Sequence, residues 1–289
     1  MKTSDSGQYG NSSHKTRNVL DVSQGNLADE VSRCAARHSL RDAYRQALPH
    51  LAYHPSSIRI ARRTLPCGLS VNIGYLPDRR RTGKSERPEN NVVRYEGTEF
   101  SLRFVGRPYT DFHMVLGKRT WGQNAPPTSQ MISVGLAVAR MLGRGSELFY
   151  NRVAPTWDRF HYQIVASGNM TLWESDTSRW PALTVREEGE DVKRMSDIIC
   201  GHMNEFLRRG AECDLALKCV ADHFHSILIP RRKTRPNGVL GNESDFGTFG
   251  VLEMSGYFVS GKSEKACRIL DAPQCGQLYE DALRELSFS

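Results

Sequence analysis

Short β-rich runs broken by Gly, Pro and Asn fill most of the sequence, and the order in which two strong helical segments interrupt them limits the folds open to it. Between residues 57 and 117 the runs SIRIARR, LSVNIGYL, NVVRYEG, FSLRFVG and FHMVLGK predict an antiparallel sheet. Residues 129–143 (SQMISVGLAVARMLG) predict a helix that opens with Ser129 as cap and closes at Gly143. ELFYNRV, RFHYQIVAS and MTLWES read as strands. VKRMSDIICGHMNEFLRRG then reads as a second helix ending at Gly210. DLALKCV, HFHSILIPRR and VLEMSGYFVS follow as further strands, and a short helix near Gly276–Leu286 completes the series. Strands, helix, strands, helix, strands describe an α+β protein with two similar halves. A faint internal echo agrees: Asp158-Arg159-Phe160-His161 resembles Asp222-His223-Phe224-His225 at comparable points after each helix.

The chain of 289 residues is long enough for a sizeable core, yet only 39% of it is apolar, so part of it is expected to be solvated. Residues 1–18, rich in Ser, Thr, Asn, Gly and Lys, read as a disordered tail. Leu27–Leu48 carries loosely helical spacing and predicts one or two helices packed on the body. We therefore expect one domain over 19–289, with halves of about 50–180 and 181–289.

Lys and Arg exceed Asp and Glu by 39 to 32, a formal charge of +7 that favours an anionic partner. The excess gathers in Arg79, Arg80, Arg81 and Lys84 and again in Arg231, Arg232, Lys233 and Arg235. Each cluster follows an apolar run, as phosphate-gripping loops do. Seven scattered cysteines without a Cys-x-x-Cys pair argue against a zinc ribbon or a disulfide framework. No apolar run reaches membrane-span length and no secretory signal is legible, so a cytoplasmic setting with no membrane partner is expected.

In an extended strand, alternate side chains share a face. Arg159, His161 and Gln163 would point one way, and Phe160, Tyr162 and Ile164 the other. Three such polar groups on an inner face cost several kcal/mol in desolvation unless a ligand satisfies them, and a phosphate or nucleotide would do so. That face suits nucleotidyl transfer through a covalent histidine: an imidazole nitrogen attacks phosphorus while Gln163 and Arg159 hold non-bridging oxygens. Asn151 stands upstream to orient nucleophile or phosphate.

The surrounding segments resemble the histidine-triad superfamily, in the branch that includes galactose-1-phosphate uridylyltransferase, ATP adenylyltransferase and GDP-L-galactose phosphorylase. ELFYNRVAPTWDRFHYQIV looks like the branch's catalytic strand, and DFHMVLGKRTWGQ like the strand beside the nucleotide. HFHSILIPRR resembles a strand ending in Pro-Arg, and FGVLEMSGYFV the Gly-Ala-Leu-Glu-Met-x-Gly segment. The resemblance spans Ile58 to Ser260 and implies a duplicated histidine-triad-like fold of antiparallel sheets with packed helices. It implies His161 as nucleotidyl-bearing nucleophile and Gln163 as phosphate-holding glutamine. Asn151, Asp158, Arg159, His113, Arg231, Arg81 and Gln123 fall among the nucleotide and phosphate contacts. Two departures stand out: Arg159 replaces the motif's first histidine, and Arg152–Thr156 is shorter than the family's small-residue loop. They point to a nucleotide or acceptor different from those of the familiar members.

His223 and His225, with His202 or His113, form a weaker metal candidate that lacks a carboxylate at recognisable spacing. RPENN replaces a Cys-x-x-Cys found in some relatives, so no metal site is expected. The histidine chemistry itself requires no cofactor. Asp245 and Glu253 are candidate sugar contacts, and Trp157 a candidate stacking ring. The resulting expectation is a nucleotidyltransferase, or a phosphorylase of nucleotide sugars or dinucleoside polyphosphates. Its substrate would be a nucleoside di- or triphosphate or a nucleotide sugar, its acceptor phosphate or a sugar 1-phosphate. A homodimer is a further implied partner, since relatives pair through their sheets. The alternative is a non-catalytic nucleotide- or nucleic-acid-binding protein of the same fold. No aromatic-interleaved basic strand or recognition helix favours nucleic acid.

Overall fold

The computed structural model describes residues 19–23, 29–50, 58–75, 91–105, 108–110, 112–118, 126–150, 161–232, 249–259 and 274–288. The tail 1–18 lies outside them. The strands are β1 (Val19–Asp21), β2 (Arg59–Thr64), β3 (Ser70–Tyr75), β4 (Asn91–Tyr95), β5 (Thr98–Phe104), β6 (His113–Gly117), β7 (Ser146–Tyr150), β8 (His161–Ala166), β9 (Val185–Gly189), β10 (Glu212–Val220), β11 (His223–Arg231) and β12 (Tyr257–Val259). The helices are α1 (Glu30–Ala47), α2 (Ser129–Leu142), α3 (Val192–Arg208), α4 (Val251–Met254) and α5 (Cys275–Leu286).

Among the described residues, nine strands form one sheet in the order β1-β4-β5-β6-β8-β7-β10-β11-β9, and β12-β3-β2 form a small second sheet. The expected antiparallel sheet over 57–117 is thus divided between the two. The large sheet is antiparallel apart from the β1–β4 pair. One of its faces, with Leu148, Tyr150, Tyr162, Ile164, Leu215 and Leu217, packs under the helices. The other, with Phe149, Val165, Ala216, Ile227 and Ile229, packs on the small sheet, α4 and α5. The chain therefore has an α+β fold of antiparallel-rich sheets with packed helices.

Helix boundaries follow local chemistry. The Asp29 carboxylate accepts from the Ser32 amide and the Asp191 carboxylate from the Arg194 amide, capping α1 and α3. For α2 the cap is Thr128, whose hydroxyl accepts from the Met131 amide, while the expected cap Ser129 instead donates to Asp197 across to α3. Gly143 at φ 64° and Gly210 at φ 79° end α2 and α3 in backbone that glycine adopts without strain.

Three expectations need correction. MTLWES is no strand: Thr171–Glu174 forms a single 3-10 turn in which Arg186 donates to the Leu172 and Ser175 carbonyls. VLEMSGYFVS divides into α4 and β12, because the Glu253 carboxylate accepts from the Gly250 amide and closes a helical turn before Gly256 at φ 87°. The strand β9, VREEG, was not expected at all. It is the sheet's edge, its side chains stay half-exposed or exposed, and the apolar alternation that marks inner strands is absent.

The unit strand–helix–hairpin occurs twice, as β6-α2-β7-β8 and β9-α3-β10-β11, and the copies meet where β7 pairs with β10. The middle pair of that ladder is Phe149 opposite Ala216. Phe149 in turn faces Gln163, and Ala216 faces Ile227. A two-fold through the middle pair therefore relates Gln163 to Ile227 and His161 to His225, the register in which the two Phe-His echoes coincide.

The helices sit close on the sheet because Gly135 of α2 receives the ring of Tyr162. A Cβ at Gly135 would stand 2.7 Å from Tyr162 Cζ, and the Tyr162 hydroxyl donates to the Met131 carbonyl at 3.0 Å. Replacing Gly135 by Val should lower stability by about 1–3 kcal/mol through overpacking. Gly201→Val, on the exposed side of α3 where a Cβ meets no atom within 4 Å, should change little. Urea unfolding of the two variants checks the contrast.

Candidate functional site

The strand β8 lies in the middle of the large sheet, between β6 and β7. Tyr162 and Ile164 are fully buried under α2, which turns His161 and Gln163 to the opposite face. His161, the first residue of β8, is 6% exposed and pairs with Gly117. Glycine puts no side chain beside the imidazole there. Gln163 is half-buried, two residues along on the same face.

His113, the first residue of β6, is also buried, and it fixes the orientation of Gln163. The Tyr109 amide donates to His113 Nδ1 at 3.1 Å. An accepting Nδ1 places the ring proton on Nε2, and Nε2 lies 2.9 Å from Gln163 Oε1. The glutamine oxygen is therefore the acceptor of that bond, and its NH2 is the end left to donate elsewhere. Tyr109 is itself held from the small sheet, where the Tyr257 hydroxyl donates to the Tyr109 carbonyl at 2.7 Å. Its ring lies against His113 at 4.8 Å between centroids.

The arrangement thus offers a shielded imidazole beside an oriented amide donor, a pair able to attack phosphorus and to hold one of its oxygens. Sequence reasoning placed His113 beside the nucleotide; the structure places it behind Gln163. It missed Tyr109, which acts through its backbone amide and carbonyl, and Tyr257, whose hydroxyl acts from a distant strand, so that neither leaves a motif. Asn151, Asp158, Arg159, Arg81 and Gln123 lie outside the described residues, as do Trp157 and Asp245.

Arg231 is corrected. It was expected to grip phosphate, yet it is fully buried at the end of β11. Its Nη2 lies 3.1 and 3.0 Å from the two oxygens of buried Asp214, and Nη1 donates to the Phe249 carbonyl at 2.6 Å. The guanidinium ties β10 and β11 to the segment before α4. Glu253, offered as a sugar contact, is spent on the Gly250 amide.

Further along the same face, where β7 begins, Glu147 is buried and its Oε1 accepts from the Gly168 amide. Burial pushes its carboxyl up to about 7 against the pull of that amide and of Lys218. Lys218 rests on the Trp173 ring at 4.4 Å, and burial lowers its ammonium. On β11, His225 Nδ1 stands 2.9 Å from Glu188 Oε1. His202 pairs with Glu187 at 2.8 Å, away from both. Among the described residues, no group of three His, Cys, Asp or Glu side chains is arranged to hold a metal ion. No helix among them is long and apolar enough to cross a membrane.

No protein-family model matches the sequence, and no curated protein matches it. The fold, by contrast, has solved counterparts. The crystal structure of yeast Ap4A phosphorylase Apa2 shares it at a TM-score of 0.63 and 13% identity, over 87% of this chain and 94% of the yeast chain. The same yeast protein in complex with AMP matches at 0.61 and 15%, over 87% and 96%. In complex with Ap4A it matches at 0.61 and 13%, over 87% and 97%. The two proteins are alike in fold along nearly their whole described architecture.

Two outcomes follow from the buried charges. Below pH 4.5 the Glu147 carboxyl is protonated in both states, so stability falls as pH rises from there through about 7 and levels off above. Glu147→Gln keeps the acceptor for Gly168, so it should raise the melting temperature at pH 8 and not at pH 4, read by thermal unfolding across pH. Asp214→Ala would strand the Arg231 guanidinium in the core and should cost about 3–5 kcal/mol in denaturant unfolding.

Proposed function

We propose that the chain transfers a nucleotidyl group from a dinucleoside polyphosphate or nucleotide sugar to phosphate, through a covalent intermediate on His161. An imidazole nitrogen attacks the α-phosphorus, the bond from that phosphorus to the bridging oxygen breaks, and the remainder of the donor leaves on that oxygen. A phosphate oxygen then attacks the same phosphorus, breaks the P–N bond and frees the imidazole. A nucleoside diphosphate departs. Gln163 donates its NH2 to a non-bridging oxygen of the group in flight, where negative charge grows.

The observation that carries this reading is the His161–Gln163 pair, with the amide oriented by His113. Its setting on the central strand of a fold shared with yeast Ap4A phosphorylase, whose structures hold AMP and Ap4A, supports it further and favours a dinucleoside polyphosphate as donor. Mixing the protein with labelled Ap4A and denaturing at alkaline pH should trap an adduct that acid releases. His161→Ala should give none. Gln163→Glu retains an acceptor for His113 but removes the donor, so it should lower the transfer rate about 10²–10³-fold while leaving the melting temperature nearly unchanged. Binding of Ap4A without adduct or turnover would instead support a non-catalytic nucleotide binder.

A further inference from the structure

On the helix-covered face of the sheet, away from His161, five arginines line one cavity of about 360 Å³. Arg33, Arg37 and Arg41 recur every four residues along α1, so they share one side of it. Arg140 and Arg144 come from the end of α2 and the turn after it. The remaining wall is the tip of the β10–β11 hairpin, where Cys219 belongs to the helix-side core. His161, Gln163 and Lys218 point the other way, so the sheet separates the cavity from the candidate active site.

Two carboxylates face the five guanidinium groups. Asp222 is forked by Arg33 at 2.6 and 3.1 Å and lies 3.7 Å from Arg140 Nε. Glu30 takes Arg33 Nε at 2.9 Å and pairs with Arg37. Arg37 also donates to the Met141 carbonyl at the end of α2. The guanidinium groups of Arg41 and Arg144 make no hydrogen bond or ion pair among the described residues, although the Arg144 carbonyl accepts from the Ser167 hydroxyl. The buried Nε of Arg140 has no hydrogen-bond acceptor there. Arg140 is held in place nonetheless, since its Nη2 donates to the Glu190 carbonyl at 2.6 Å and its guanidinium lies 4.5 Å over the Phe224 ring. The hairpin tip is held too: Ala221 and Asp222 both adopt positive φ, 49° and 65°, and the fork from Arg33 fixes the turn.

We infer that this cavity is a second anion site and that it takes an oligophosphate group. Five guanidinium groups against two carboxylates leave an excess of three positive charges around one cavity, and an anion bound there would relieve their mutual repulsion. Guanidinium forks match phosphate oxygens in pairs. The volume lies in the range of small-ligand sites. Among the described residues the lining includes no aromatic ring on which a base would stack, and the groups it does present, guanidinium forks, suit a phosphate chain. The site stands independently of the reading of His161.

The test is calorimetric titration of the full-length protein with inorganic tripolyphosphate at about 150 mM salt, where surface attraction is largely screened. The wild type should bind it. Arg41→Glu with Arg144→Glu alters two exposed side chains with no described partner, so the fold should persist, as the melting temperature will show. Affinity in that double variant should drop at least about tenfold, while adduct formation at His161 stays as in the wild type. Gln163→Glu should leave tripolyphosphate affinity unchanged. No binding by the wild type overturns the proposal. So does equal affinity in the double variant, or binding that Gln163→Glu abolishes.

Discussion

The strand β8 is held from both sides by unlike forces, and the rest of the architecture serves that arrangement. Its apolar side, Tyr162 and Ile164, is pressed into α2, where Gly135 makes room for the tyrosine ring. A side-chain period of two then leaves His161 and Gln163 no choice of face. Packing beneath the sheet at Tyr162 and Ile164, with Val165 packed on the other side, sets the position of the polar groups between. A one-residue slip would turn the imidazole under α2 and take the Tyr162 ring out of the space that Gly135 leaves for it.

The polar side is organised by relayed hydrogen bonds. Tyr257 steadies the Tyr109 carbonyl, the Tyr109 amide decides which His113 nitrogen carries the proton, and that proton decides which end of Gln163 accepts. Each link removes one degree of freedom from the next. The second half of the repeat lacks this relay. His225 stands in the place corresponding to His161, but Ile227 replaces the glutamine and Glu188 holds the imidazole. One copy of the unit carries a glutamine donor two residues from its histidine, and the other carries isoleucine there.

The alternation in RFHYQIV foretold which faces His161 and Gln163, Tyr162 and Ile164 would take, and the capping and glycine signals placed α2 and α3 to within a residue or two. What escaped was set by tertiary context. VREEG carries no apolar alternation because neither of its faces is buried, as suits the edge strand of the sheet among the described residues. Arg231 looked like a phosphate ligand because a Pro-Arg ending advertises charge, whereas its meaning depends on Asp214, seventeen positions earlier and one strand away. The arginines of α1 drew no reading in the sequence, because only α2 and the β10–β11 turn, brought beside them by the fold, give them a common cavity.

The fork between Arg33 and Asp222 joins residues 189 positions apart. In chain order, the whole first repeat and most of the second separate α1 from the turn that anchors Arg33. The apolar side of α1 has its partners in β5 and α2, with Tyr44 against Phe104 and Phe112, whereas Arg33 gains its carboxylate only once the β10–β11 hairpin is present. The same helix is thus fastened twice, by apolar contacts to the first repeat and by one charged fork to the second, and so ties the two repeats together.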